Sequence, residues 1–232
     1  MAAVEGIARA LRGKGEYGEA LSFFERLAIR EREDKVADIL APGRATWQID
    51  IACLHWLLGD YSQSIRLMHG LAAGILDGSI KYGDAAGGLK QGLLLYYMSI
   101  TARNSEELSF ASDYIRSRVD YVKNVVKRNS PKIWPCAVAQ HYLGDVTFET
   151  VREAIDHPGV TLAAVDLRKV ELARRRKLCV ALFHDGVNSR AQGDDEKCLD
   201  RMRECCALED PLIEQEWYLA RYEIMLHFDH GV

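Results

Sequence analysis

Three stretches of this chain align with one another without a gap, and their shared spacing leaves little choice of fold. They are GEYGEALSFFERL from Gly15, GDYSQSIRLMHGL from Gly59 and GDDEKCLDRMREC from Gly193. Each opens on a glycine and an acid. Five residues past the glycine stands a small side chain (Ala20, Ser64, Cys198), followed by an aliphatic one (Leu21, Ile65, Leu199). At three-residue steps beyond come Phe24, Met68 and Met202, then Leu27, Leu71 and Cys205. Apolar positions at these intervals fall on one face of an α-helix. The glycine ahead of each supplies a tight turn, because it takes positive φ without steric cost. Seven residues before it sit Ala8, Ala52 and Gly186, small enough for two antiparallel helices to approach closely.

The period extends the pattern. Gly15 and Gly59 are 44 residues apart, and steps of 44 to 45 beyond Gly59 reach Asn104 and Glu149, each followed by a small and an apolar residue, Ser109–Phe110 and Ala154–Ile155. Asn104 separates two helical stretches. The second carries Leu108, Ala111, Ile115, Val119, Val122 and Val126 on one face, with acids early, bases late and Ser105 placed to cap it. The stretch DPLIEQEWYLARYEIMLHF predicts a closing helix over 211–228, capped by Asp210, with Pro211 at its first position and Ile213, Trp217, Ala220, Ile224 and Phe228 as its buried stripe. No strand-like alternation is sustained. The expectation is an all-α chain of about ten to eleven helices in antiparallel hairpins. It forms a single domain over 1–232, with units near 2–30, 46–76, 89–128, 134–156 and 165–208 and a C-terminal capping helix.

Gly15, Tyr17, Ala20, Leu21 and Phe24, with Ala8 before them, resemble the tetratricopeptide repeat, as do Gly59, Tyr61 and Ile65; the segment ALEDP at 207–211 resembles the ending of such a repeat. The resemblance implies a stack of helix hairpins in which the first helix of each lines a concave face. The corresponding positions are Thr46, Ile49, Cys53, Trp56 and Leu57, then Glu5, Arg9 and Arg12, then Phe183, Val187 and Arg190. That face would be apolar in its middle and basic at one end.

The segment GILDGSIKYGDAAGG, 74–88, holds five glycines and raises the question of a phosphate loop. A phosphate loop lies between a strand and a helix and ends in Gly-Lys-Ser/Thr; this segment follows a helix and has no such ending. A bend between helices is the reading, with Ile80 and Tyr82 pinning it and Asp84 capping the next helix. If the bend binds anything, Tyr82 and Asp84 are the side chains to test. The bases of LRKVELARRRK, 167–177, lack interleaved aromatics and read as a solvated helix face. Six cysteines form no C-x-x-C pair and read as reduced, buried thiols. Seven histidines form no zinc pattern, and no nucleophile motif or acid–base pair stands out. No catalytic residue, metal ligand or cofactor is assigned.

With a formal charge of −4, the chain does not point to nucleic acid or an anionic membrane. Its longest strongly apolar run, 93–98, is far short of a membrane span, and the N-terminal residues do not read as a signal peptide, so the cytoplasm is the expected location. The expected function is that of a non-catalytic protein-binding module, most concretely a bacterial immunity protein that covers a cognate toxin, a group the chain resembles in type. Candidate partner-binding residues are the acids Asp60, Asp77, Asp84, Asp194 and Asp195, which would face a basic toxin domain, together with Arg9, Arg12, Trp56 and Tyr82. Two alternatives stand beside it. One is a ligand sensor or helical enzyme with a pocket near Trp56 and 74–88. The other is a regulatory or chaperone module reading a peptide in an open groove at Ile49, Cys53 and Trp56.

Overall fold

The computed structural model describes residues 2–33, 44–80, 86–124, 133–156, 167–208 and 214–229. Among them the chain is all-α. The helices are α1 (Ala2–Lys14), α2 (Tyr17–Glu33), α3 (Arg44–Leu57), α4 (Tyr61–Leu76), α5 (Leu89–Thr101), α6 (Ser105–Asn124), α7 (Cys136–Tyr142), α8 (Phe148–Asp156), α9 (Leu167–Ala191), α10 (Asp195–Cys206) and α11 (Gln215–Asp229). None of these helices is long and apolar enough to cross a membrane.

One turn is used five times. At Gly15, Gly59, Arg103, Gly144 and Gly193 the backbone adopts positive φ, between 54° and 85°. In each case that residue's N–H donates to the carbonyl three residues back, and the next N–H donates to the carbonyl five back: Gly59 to Trp56 at 3.0 Å and Asp60 to His55 at 2.9 Å, Gly193 to Arg190 at 2.9 Å and Asp194 to Ser189 at 3.0 Å. This satisfies the last carbonyls of the outgoing helix and reverses the chain. The residue after the turn is an acid or an asparagine each time, and three of them cap the incoming helix through the side chain. Asp60 accepts from Gln63 N at 3.3 Å, Asn104 from Glu107 N at 3.2 Å and Asp194 from Lys197 N at 2.9 Å. A cap of this kind stabilises a helix by about 1 kcal/mol.

The turn positions correct two expectations. The fourth turn is at Gly144, not near Glu149, which lies in the first turn of α8. Gly144–Asp145 repeats the glycine–acid pair, but a fixed step passes over it because α7 is short. The cap of α6 is Asn104, not Ser105. In that helix Ala111, Ile115, Val119 and Val122 are buried as the spacing predicts and Tyr114 joins them, while Ser109 is exposed. Asp84, Tyr82, Val126, Asp210, Pro211 and Ile213 lie outside the described residues.

The repeated seams pack as their spacing predicts. Ala20, Phe24 and Leu27, Ser64, Met68 and Leu71, and Cys198, Met202 and Cys205 are all buried, as are the opposing Ala8 and Ala52. At Gly186 a Cβ would stand 3.0 Å from the Cys198 carbonyl oxygen and 3.0 Å from Arg201 Cβ, so a glycine lets α9 and α10 come together. The glycine-rich bend works the same way where it is described. A Cβ at Gly74 would meet Ile80 Cδ1 at 2.7 Å, and Ile80 N–H donates to the Gly74 carbonyl at 2.8 Å. Close packing of Ile80 on Gly74 accounts for these contacts. The cysteines are free thiols, five of them buried.

The structure divides into two compact units. The first holds residues 1–84 and 94–114, where α1 packs on α2, α2 on α3 and α3 on α4. The second holds 85–93 and 115–232, where α9 is central: it packs against α7, α8, α10 and α11, and α10 packs against α11.

Candidate functional site: a face built on the last helix

The candidate residues of the first unit are engaged within it. Arg12 is buried and forms an ion pair with Asp50, which is buried too. Arg9 pairs with Glu5 at 2.6 Å. Trp56 is 1% exposed, with Tyr61 and Tyr97 rings 4.6 and 5.3 Å from it. Ile49 and Cys53 are buried as well, which closes the open peptide groove expected there. Asp60 caps α4 and lies 3.3 Å from His55 Nδ1. Asp77 accepts from Ser79 N at 2.8 Å, and its hydrogen bonds with Ser79 hold its pKa below the ordinary carboxylate value.

Asp194 and Asp195 belong to the second unit, at the start of α10, where the structure brings together what the sequence did not. The organiser is α11. The sequence pattern placed Trp217, Ala220, Ile224 and Phe228 on its buried stripe. The helix is instead rotated: Glu216, Leu219, Ala220 and Glu223 are buried, Trp217 and Ile224 are half-buried, and Phe228 is 63% exposed. Charge explains the rotation. Glu214, just before the helix, accepts from Lys90 Nζ at 2.9 Å and from Arg176 Nε at 2.7 Å. Glu216 Oε2 lies 3.3 Å from Lys90 Nζ, in ion-pair range without hydrogen-bond alignment, and Glu223 accepts from Arg190 Nη2 at 2.9 Å. Three cations from α5 and α9 thus hold three carboxylates, and an uncompensated carboxylate on the buried side would cost several kcal/mol.

Behind Glu216 the interior is polar. His184 is fully buried, its Nε2 is 3.7 Å from Glu216 Oε1 and its Nδ1 is 2.7 Å from the Tyr142 hydroxyl. Burial lowers the His184 pKa and keeps the ring neutral. Burial also works to raise the Glu216 pKa, but Lys90 and the His184 contact outweigh it and hold the carboxyl well below its ordinary range. Lys90 is correspondingly raised, because the two glutamates overcome its desolvation.

A second cluster adjoins this one in sequence. His141 Nδ1 stands 3.1 Å from the Val146 carbonyl and Nε2 stands 3.0 Å from Asp185, which also accepts from Arg201 Nε at 2.7 Å. Burial disfavours a charged His141, but Asp185 and the Val146 carbonyl outweigh it and raise its pKa. A raised folded-state pKa contributes stability that is complete below the unfolded value of about 6.5 and is lost as pH rises through the folded value. His141→Gln is therefore expected to cost about 1 kcal/mol more near pH 5.5 than near pH 8.5, as measured by urea unfolding at both. An equal cost at the two pH values would show that the folded ring binds no extra proton.

The outward side of α11 carries two exposed apolar side chains. Met225 and Phe228 are 53% and 63% exposed on α11. On the side of α11 that carries Glu223, α9, α10 and α11 border a groove of about 290 Å³, lined by Arg190, Asp195, Leu199, Glu223, Leu226 and His227. The chain matches no protein-family model, no curated protein and no solved structure. The site thus rests on its own geometry. The bases 174–177 are used inside the unit: Arg174 pairs with Asp156 at 2.6 Å, Arg175 donates to the Leu208 carbonyl, Arg176 holds Glu214 and Lys177 lies over Trp134. Among the described residues no group of three metal-ligating side chains converges.

Lys90, Glu214, Glu216, Glu223 and Met225 escaped the sequence reading. The available signal was the seven-residue spacing of Glu216 and Glu223, which puts both on the face of Leu219 and Ala220.

Proposed function

We propose that this chain is a non-catalytic, helical-repeat protein-binding module, and most concretely an immunity protein that neutralises a toxin by covering it. The observation that supports this is the outward pair Met225 and Phe228 on a helix whose inner side is fixed by ion pairs. A solvent-facing helix side is normally polar, and adjoining exposed apolar side chains mark interaction surfaces. Rigid hairpin stacks present such surfaces without reorganising.

The test is co-expression with the toxin-domain polypeptide encoded beside it. A stable complex and rescue of growth are expected. Met225→Asp/Phe228→Asp, in which both side chains already face solvent, should fold normally and weaken the complex at least ~30-fold, as loss of a central anchor does. Retained growth rescue by that variant at unchanged affinity would rule out this face.

A further inference from the structure

Two buried thiols meet between α9 and α10. Cys179 Sγ and Cys205 Sγ are 3.4 Å apart, and Cys205 Sγ also lies 3.5 Å from the Cys179 carbonyl oxygen. Helix register brings them there. Cys179 and Gly186 are seven residues apart on α9, and Cys198 and Cys205 are seven apart on α10, so each pair shares one face of its helix. At one level the missing side chain of Gly186 lets α9 close on the Cys198 carbonyl. Two turns along the same antiparallel pair, Cys179 faces Cys205. Both thiols are 0% exposed. Cys206 is half-buried and projects about 100° away from Cys205 around the helix.

From this we infer that Cys179 and Cys205 are a dithiol oxidation site, which a small hydroperoxide converts reversibly into a disulfide joining α9 to α10. In the first step one sulfur attacks the hydroperoxide. The O–O bond breaks, the thiol's proton goes to the departing oxygen as water or an alcohol, and the sulfur becomes a sulfenic acid. In the second step the other thiol gives up its proton and attacks that sulfur. The S–S bond forms, and the departing hydroxide takes the proton as water. The two sulfurs lose two electrons and the hydroperoxide gains them. Closing 3.4 Å to the disulfide length of about 2.05 Å needs a small adjustment of two side chains. Proximity selects the product. Once one sulfur is oxidised its partner is already in contact, while a second hydroperoxide must enter a closed interior, so the disulfide forms ahead of a sulfinic acid. The hydrogen bond with Cys179 and burial hold the Cys205 pKa well above its ordinary value, so the reaction is slow near neutral pH and quickens as pH rises.

The experiment treats the reduced full chain with hydrogen peroxide near neutral pH and near pH 9. The chain is then alkylated in denaturant and digested with trypsin without reduction. The expected product links peptide 178–190 to peptide 204–221, at ~10-fold or more over any other cysteine pairing. It should form faster at the higher pH and disappear with dithiothreitol. Cys206→Ser should keep the link, and Cys179→Ala and Cys205→Ala should each abolish it. The linked chain should unfold at a higher urea concentration than the reduced chain, because the bond closes a loop between two packed helices. Sulfinic acid without a link, no oxidation at either pH, or the mixed pairings of the urea-unfolded chain would overturn the inference. So would a link lost in Cys206→Ser, or a linked chain that unfolds at lower urea. Should an alanine variant fail to fold, fragment ions of the linked peptide from the Cys206→Ser chain place the bond directly, and a bond elsewhere than Cys179–Cys205 overturns it equally.

Discussion

Asp50→Ala is expected to destabilise the first unit by about 3–5 kcal/mol. Asp50 and Arg12 are 3% and 2% exposed, and they join α3 to α1 across 38 positions of sequence. Removing the carboxylate takes an ion-pair partner from a buried guanidinium that lies 5.9 Å from the Phe24 ring centroid. Arg12→Met costs less, because a carboxylate left behind can take up a proton while a guanidinium does not give one up. The double variant Arg12→Met/Asp50→Leu should recover most of the loss, because both charges of the pair are then replaced by apolar side chains. Urea unfolding followed by Trp47 and Trp56 fluorescence, both within this unit, measures it. A loss under ~1 kcal/mol for Asp50→Ala would show that the guanidinium escapes to solvent. The result also separates two roles for Arg12. A partner-binding arginine would change affinity with little change in stability; the buried ion pair calls for the reverse.

The hairpins were legible because they obey a local rule. A glycine followed by an acid, with a small-and-apolar face beginning five residues on, is written within thirteen residues at 15, 59 and 193, and the turn and the buried seam follow from that stretch. The middle turns were harder for identifiable reasons. Arg103 takes positive φ without being glycine, and the spacing of the five turns runs 44, 44, 41 and 49 residues, so a constant step drifts off Gly144. The candidate face was least legible. Hydrophobic periodicity alone rotated α11 the wrong way, since it counted Trp217, Ile224 and Phe228 and gave no weight to Glu216 and Glu223. Their burial depends on cations 126 and 33 residues away in sequence, Lys90 and Arg190. The acids at the turns have a local role that the hydrophobic pattern does not show: Asp60 and Asp194 cap their helices.

Lys90→Met should give the second large effect and invert the pH dependence of the second unit. In the unaltered chain Glu216 has a lowered pKa. Its contribution is therefore present above the unfolded carboxylate value of about 4.3 and is lost as pH falls through the folded value. Without Lys90, the fully buried Glu216 has a neutral histidine 3.7 Å away and no ion-paired lysine or arginine among the described residues. A bare buried carboxylate raises its own pKa, and His184, freed from the Lys90 charge that depresses it, can hold the proton instead. The folded chain then binds more protons than the unfolded one above about pH 5 if the carboxyl holds the proton and above about pH 6.5 if His184 does, so stability now falls as pH rises. Lys90→Met is expected to cost about 3–5 kcal/mol near pH 8 and to regain up to ~1.4 kcal/mol per pH unit on acidification toward pH 5. Urea unfolding followed by Trp134 and Trp217, which both report on this unit, is the measurement. Lys90→Met/Glu216→Leu should lose the new slope and recover part of the stability, because the buried acid is gone. If Lys90→Met unfolds with the slope of the unaltered chain, the ion pair does not hold α11, and the outward set of Met225 and Phe228 would need another cause.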